Sequence, residues 1–256
     1  MSNTTPHYLF LTTSTRESGH LGNTEWLAQQ AAAALPAGTV QTWHHLARMH
    51  LPPFVDLRHT VGTYPAPEGD LKTLLDATLA ATHIVFVSPV YWFSIPSPLK
   101  TYLDHWSGWM RVPGLPFKEQ MAAKSLFLIT TSGDRAKAQP MIDSVELCAK
   151  FLSMPWGGAL WGKGGPPGAV QADAQAVAQA AHFFAIKIRA AGAFCISARA
   201  RFHSKPGPIN AAGRVASPRP QRRRHPAAGC SSSDAGHATW RALRHRAACA
   251  GRAPAR

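Results

Sequence analysis

The sequence predicts a three-layer α/β domain built on a five-stranded parallel sheet, with a basic tail behind it. Three observations carry the prediction. Short apolar runs without alternation recur along the chain, as at Tyr8–Leu11, His83–Val87 and Ser125–Thr130. A strand that is apolar at every position has both faces covered, which is the condition of a parallel sheet between helical layers. Between these runs lie segments with apolar residues at helical spacing, and the alternation β-α repeats five times before about residue 190. Beyond Gly192 the composition changes sharply, and the architecture is already closed.

The elements follow in order. After Tyr8–Leu11 the chain turns polar, then Leu27, Ala31, Ala34 and Leu35 mark one face of a helix. Asn23 or Thr24 is its expected N-cap, and Glu25 in the first turn suits the helix dipole. Leu35-Pro36-Ala37-Gly38 stops this helix before a second strand, Thr39–Trp43. An irregular stretch from His45 to Pro67 holds four prolines, and a long loop in a compact domain is commonly functional or mobile. His44, His45, His50 and His59 lie in or beside it without carboxylate or cysteine partners at ligand spacing, so no metal site is expected. Leu71, Leu74, Leu75, Thr78 and Leu79 give a second helix, and His83–Val87 the third strand. A third helix carries Leu99, Tyr102, Leu103 and Trp106 on one face, with Pro98 in its first turn. Ser125–Thr130 is the fourth strand. Met141, Val145, Cys148 and Leu152 mark a fourth helix, and Trp156–Trp161 is the last strand. Val177, Ala180, Ala181, Phe184 and Ile188 mark a final helix stopping near Gly192.

The net charge of +14 belongs to the tail. From Ala193 onward there are thirteen basic residues against one acid, Asp234, so residues 1–192 carry only +2. The tail is rich in Ala, Arg, Pro and Gly, and it lacks the apolar residues to offset the entropy of ordering it. Disorder is expected over 193–256, the segment being a functional arm or the product of a shifted reading frame. Arg222-Arg223-Arg224 would attract a polyanion, but aromatic residues for base stacking are sparse, so nucleic acid is not the expected partner. Four scattered cysteines have neither C-x-x-C nor zinc-finger spacing and read as reduced thiols. The N-terminus lacks a basic start followed by an apolar stretch, and no run is long enough to span a bilayer. The cytoplasm is therefore the expected location, with no membrane partner.

Ligands of an open parallel sheet bind beyond the carboxyl ends of the strands where the strand order reverses. For the order 2-1-3-4-5 that place lies between the first and third strands. Three loops meet there. The first, rich in hydroxyls and glycine with Arg16, leads into a helix N-terminus and reads as a phosphate cradle. The second offers Tyr91, Trp92 and Phe93 between turn-forming prolines, and the third offers Gly133 among hydrogen-bonding groups. A ligand with a phosphate at one end and a planar heteroaromatic ring at the other would satisfy all three.

The segment S-P-V-Y-W-F-S-I-P-S-P-L-K-T-Y-L-D-H-W (Ser88–Trp106) resembles the P-x-Y-W-x-x-x-P-x-x-L-K-x-x-x-D signature of the flavodoxin-like NAD(P)H-dependent FMN reductases and quinone reductases. T-S-T-R-E-S-G-H-L-G-N-T-E (Thr13–Glu25) resembles that family's phosphate loop, with Glu17–Leu21 as an insertion, and T-T-S-G-D (Thr130–Asp134) its third flavin loop. The resemblance covers roughly residues 7–190 and implies a flavodoxin-like fold over residues 1–192, bound FMN, NADPH or NADH as donor, and a homodimer or homotetramer. It implies that Ser14, Arg16, Asn23 and Thr24, with His20, hold the phosphate. Pro89, Val90, Tyr91 and Trp92 would border the isoalloxazine, and Thr131, Ser132, Gly133 and Asp134 its polar edge. The chemistry would be the cofactor's, with no protein nucleophile. A small-molecule acceptor is implied: a quinone, flavin, nitro- or azo-compound. The competing reading is a flavodoxin-type electron carrier without NAD(P)H turnover. A third is polyanion binding through the tail.

Overall fold

The computed structural model describes residues 5–17 and 19–185. Five strands, β1 (His7–Thr12), β2 (Val40–His45), β3 (His83–Val87), β4 (Ser125–Ser132) and β5 (Trp156–Lys163), form one parallel sheet in the order β2-β1-β3-β4-β5. Six α-helices accompany them: α1 (Asn23–Ala33), α2 (Gly69–Ala80), α3 (Ser97–Trp109), α4 (Phe117–Ala122), α5 (Arg135–Phe151) and α6 (Ala174–Ala180).

The non-alternating strands are explained by their burial. Leu9 and Leu11 pack with Leu74, Phe86, Leu99, Tyr102 and Met141 on one face of the sheet. Tyr8 and Phe10 pack with Leu27, Ala31, Val85, Phe127 and Ala176 on the other. A period-2 strand between two apolar layers must be apolar at every position. The chain first moves to one side of β1 and then crosses back to β3, so right-handed connections put α1 and α2 on opposite faces. Later connections keep the second direction, and α3 and α5 join α2's layer. Helix α6 returns to pack beside α1.

Several expectations are adjusted by the structure. The N-cap of α1 is Gly22, in extended conformation, and Asn23 and Thr24 already belong to the first turn. β2 runs on to His45, so His44 and His45 lie on a strand rather than in the loop. Helix α4 was not expected; six residues with Phe117 and Met121 buried one turn apart give little periodicity to read. The final helix spans Ala174–Ala180 and turns continue to Ala185. Its expected continuation to Gly192, and the tail 193–256, lie outside the described residues.

The irregular stretch before α2 is tied down along α3. The Tyr64 hydroxyl accepts from the Leu57 N–H at 2.6 Å and donates to the Val55 carbonyl at 3.2 Å. Its ring lies 3.1 Å from where a Cβ would sit on Gly108, so a side chain there would push the ring back by a few tenths of an ångström. At the other end of the sheet, buried Lys124 donates to the carbonyls of Leu79 (2.7 Å) and Ala81 (2.6 Å), closing the C-terminal end of α2. Among the described residues no helix is long and apolar enough to cross a membrane, and no cluster of candidate metal ligands occurs.

Candidate functional site

β1 and β3 are in register from Tyr8–His83 to Thr12–Val87, so both strands end at one level. The ladder then continues one step into each loop. The Thr13 N–H donates to the Val87 carbonyl at 3.1 Å and the Ser88 N–H to the Ile129 carbonyl at 2.9 Å. Three loops are thereby launched side by side from the carboxyl edge, around a cleft of about 200 Å³. One water needs roughly 10–15 Å³, so this space is sized for a molecule rather than a single ion. A fourth loop, after β5, adds Gly164 and Gly165 to the wall.

At one end the cleft is lined by Ser14, Arg16 and the start of α1. The first intrahelical bond runs from the Trp26 N–H to the Gly22 carbonyl at 2.9 Å. The N–H groups of Asn23, Thr24 and Glu25 therefore have no intrahelical acceptor, and the helix dipole adds partial positive charge there. The Ser14 hydroxyl accepts from the Arg16 N–H at 3.3 Å. Gly19, at φ +102°, turns the inserted segment of the loop in a conformation open to glycine.

The side chains of Asn23 and Thr24 are committed elsewhere. Buried Asn23 donates to the carbonyls of Gly165 (3.2 Å) and Pro166 (3.0 Å) and accepts from the Val170 N–H (3.3 Å). It ties the start of α1 to the loop after β5. The Thr24 hydroxyl pairs with that of Thr131 at 2.5 Å, tying α1 to β4. Both positions line the cleft, and their side chains act as braces.

The third loop is braced in the same way. The Ser132 hydroxyl accepts from Trp161 Nε1 at 2.8 Å and donates to the Asp134 carbonyl at 2.5 Å. The Asp134 carboxylate caps α5 by accepting from the Lys137 N–H at 3.0 Å, and that bond, with the Lys137 ammonium, holds it below the usual carboxylate range. Thr131, Ser132 and Gly133 line the cleft; Asp134 does not. A Cβ on Gly22 or Gly133 would meet no atom within 4 Å, because both backbones open directly onto the cleft.

On the second loop, Pro89 and Tyr91 line the cleft, while Val90 packs against the core. The chain then reverses in a two-residue turn. Tyr91 and Ser94 exchange both backbone hydrogen bonds at 3.0 Å, and Trp92 (φ 50°) and Phe93 (φ 61°) are both left-handed. That is the backbone of a type I′ turn, in which large side chains are strained. Trp92 is 93% exposed and lies outside the cleft wall, as does exposed His20 in the first loop.

Of the thirteen residues expected here, nine line the cleft: Ser14, Arg16, Asn23, Thr24, Pro89, Tyr91, Thr131, Ser132 and Gly133. Sequence reasoning missed Gly164 and Gly165. The signal was present as a Gly- and Pro-rich stretch, Gly164–Gly168, directly after the last strand.

The chain matches the family model described as "Flavodoxin-like fold" over residues 6–183. It belongs to the flavodoxin-like family. One relative in this family is the Bacillus subtilis (strain 168) protein YwqN, named for an NAD(P)H-dependent FMN-containing oxidoreductase. The two are 32% identical over 162 residues, spanning 62% of this chain and 87% of YwqN. Among solved structures, the Trp repressor binding protein of B. subtilis is 26% identical with a TM-score of 0.52, over 69% of this chain and 96% of that one. An NAD(P)H:quinone oxidoreductase from Methanothermobacter marburgensis shares the fold at a TM-score of 0.54 and 15% identity, over 72% of this chain and 98% of that one.

Proposed function

We propose that this chain binds FMN in the cleft at the carboxyl edge of the sheet and uses it as an NAD(P)H-dependent oxidoreductase. The observation that carries the reading is the convergence of an anion-binding helix start and a glycine-lined slot in a single cleft. The kinship with YwqN, over most of that protein's length, supports it. The cleft suits the group. The free N–H groups at the start of α1, with Arg16 and Ser14, would hold the phosphate. Gly133 presents open backbone to the cleft, where a flat ring could lie, and Gly164, Gly165 and Pro89 share the lining.

When bound, FMN supplies hydride acceptance from NADPH or NADH and electron delivery to a second substrate. The chain's own residues do the positioning. Arg16 and the α1 N–H groups neutralise the phosphate, and Gly133 keeps a side chain out of the slot. Asn23, Thr24 and Ser132 brace the first, third and fourth loops against one another. The acceptor we assign is a small oxidised molecule, a quinone, flavin, nitro- or azo-compound, taken up where the slot opens to solvent. We assign the activity to residues 1–192 and to the cytoplasm, in a homodimer or homotetramer. The face between α3 and α5 suits a second copy: Leu147 and Phe151 are each 63% exposed there, beside paired charges of both signs at Lys100–Asp104 and Lys150–Glu146.

The test is steady-state oxidation of NADPH and NADH by the FMN-loaded protein, with and without a soluble quinone. Acceptor-dependent turnover is expected. A protein that holds FMN but oxidises neither nucleotide would instead be an electron carrier of flavodoxin type.

A further inference from the structure

We propose that Trp161 is a positioning residue for the flavin: from outside the cleft lining, its indole N–H holds the loop that aims the Gly133 N–H at the polar edge of the ring. This rests on the FMN reading above. Trp161 stands on β5 opposite Thr130 of β4, half-buried against the layer of α3 and α5. It does not line the cleft. The Ser132 side chain, two residues beyond Thr130, projects from the same face of β4. Trp161 Nε1 reaches its hydroxyl at 2.8 Å.

The direction of the Gly133 N–H follows from the peptide that carries it. The Ser132 carbonyl accepts from the Gly164 N–H at 2.8 Å, so it points toward the loop after β5. The peptide is trans, and a trans peptide sets its N–H opposite to its carbonyl. The Gly133 N–H therefore points away from β5, toward the side of β3. There β3 pairs with β4 only as far as Val87 opposite Ile129, and the Ser88 N–H adds one more bond. Past that level the chain has left the sheet, and Pro89 and Tyr91 line the cleft instead. The Gly133 N–H thus faces the cleft, and it has no hydrogen-bond partner among the described residues. A Cβ on Gly133 would meet no atom within 4 Å, so a ligand can come close to this backbone.

Two anchors fix this peptide, and the indole sets the sense of the second. A tryptophan N–H only donates, so the Ser132 hydroxyl must accept from it. The hydroxyl's own proton is left for the Asp134 carbonyl at 2.5 Å, which clamps the loop on both sides of Gly133. Without the indole the hydroxyl is free to rotate, and the peptide keeps only its Gly164 anchor. The donor matches what happens at the ring. When the nicotinamide gives up a hydride and is oxidised, the ring gains two electrons and one proton, and the net negative charge settles on its N1–C2 carbonyl edge. A fixed N–H aimed at that edge favours the reduced form over the oxidised one. Trp161 thereby raises the two-electron reduction potential without touching the flavin.

The experiment measures the two-electron midpoint potential of the full-length FMN-loaded protein against a reference dye, for the wild type, Trp161→Phe, Ser132→Ala and the double variant. Trp161→Phe keeps a ring in place and removes the donor. Each single variant should shift the balance roughly tenfold toward oxidised flavin, a fall of about 30 mV for a two-electron couple. The double variant should fall no further, because both changes break one bond. An unchanged potential in Trp161→Phe would reduce the indole to packing and overturn the inference, as would additive shifts. Should Trp161→Phe fail to fold, Ser132→Ala carries the same prediction, and an unchanged potential there overturns the inference equally. A wild-type protein that takes up no FMN would overturn the FMN reading itself, before any variant is compared.

Discussion

Replacing Asn23 with alanine separates two roles that the sequence alone merges. An asparagine at the start of a phosphate loop reads as a phosphate ligand. In the structure its amide is buried and makes three hydrogen bonds to the loop after β5, more than 140 residues away. A net hydrogen bond contributes about 1 kcal/mol, which would total about 3 kcal/mol. The carbonyls of Gly165 and Pro166 belong to exposed residues and can turn to water, so their loss is partly made good. The Val170 N–H sits on a fully buried residue and would be left unsatisfied, at about 1–3 kcal/mol by itself. Asn23→Ala should therefore destabilise the fold by about 2–3 kcal/mol. With a urea m-value of about 2–3 kcal/mol/M, the midpoint should fall by about 1 M. FMN affinity should drop as well, because the Gly164–Gly165 wall loses its tether. Unchanged urea stability together with weakened FMN binding would refute the tether and restore Asn23 as a phosphate ligand.

Three other outcomes are expected. Half-buried His83 stacks on Tyr8 at 4.3 Å, and desolvation lowers its pKa from 6.5 to about 4. Between those values a falling pH protonates the unfolded chain but not the native one, so stability is lost as pH falls through that window, by up to about 3 kcal/mol. Urea titrations at pH 7 and 4.5 should show a smaller loss for His83→Gln; an equal loss would remove His83 as the cause. Gly162→Ala would put a Cβ 2.7 Å from Val170 Cγ2 and 3.0 Å from Leu27 Cδ2, an overpacking of about 1–3 kcal/mol; a thermal melt matching the wild type would mean that this layer has slack. Trp92→Gly should raise stability by about 0.5–1 kcal/mol, because an exposed left-handed residue gives up strain and little packing; destabilisation would show that the indole is packed after all.

The parts of the fold that could be read from the sequence are those fixed by local pattern. Tyr8–Leu11 and His83–Val87 show their two-sided burial as unbroken apolar runs, and Leu71–Leu79 shows its one-sided burial as helical spacing. Phe117–Ala122 escaped because two buried residues one turn apart match many patterns. The site divides along the same line. Residue type told that Asn23, Ser132 and Asp134 would hydrogen bond, and their place after strand ends put them at the correct edge. Their partners, Gly165, Trp161 and the first turn of α5, are set by tertiary packing or by a cap that spacing alone does not single out. The exposure of Trp92 was hidden for a similar reason. An aromatic between turn-forming prolines after a strand end reads as a wall of the cleft until the left-handed turn that carries it outward is seen.

The most direct test of the central claim is the visible absorption spectrum of the purified full-length protein, followed by acid release of any chromophore. The account predicts a yellow protein, with absorption near the flavin bands, that releases FMN. A colourless protein that takes up no added FMN would contradict it, and the cleft at the carboxyl edge would then need another ligand.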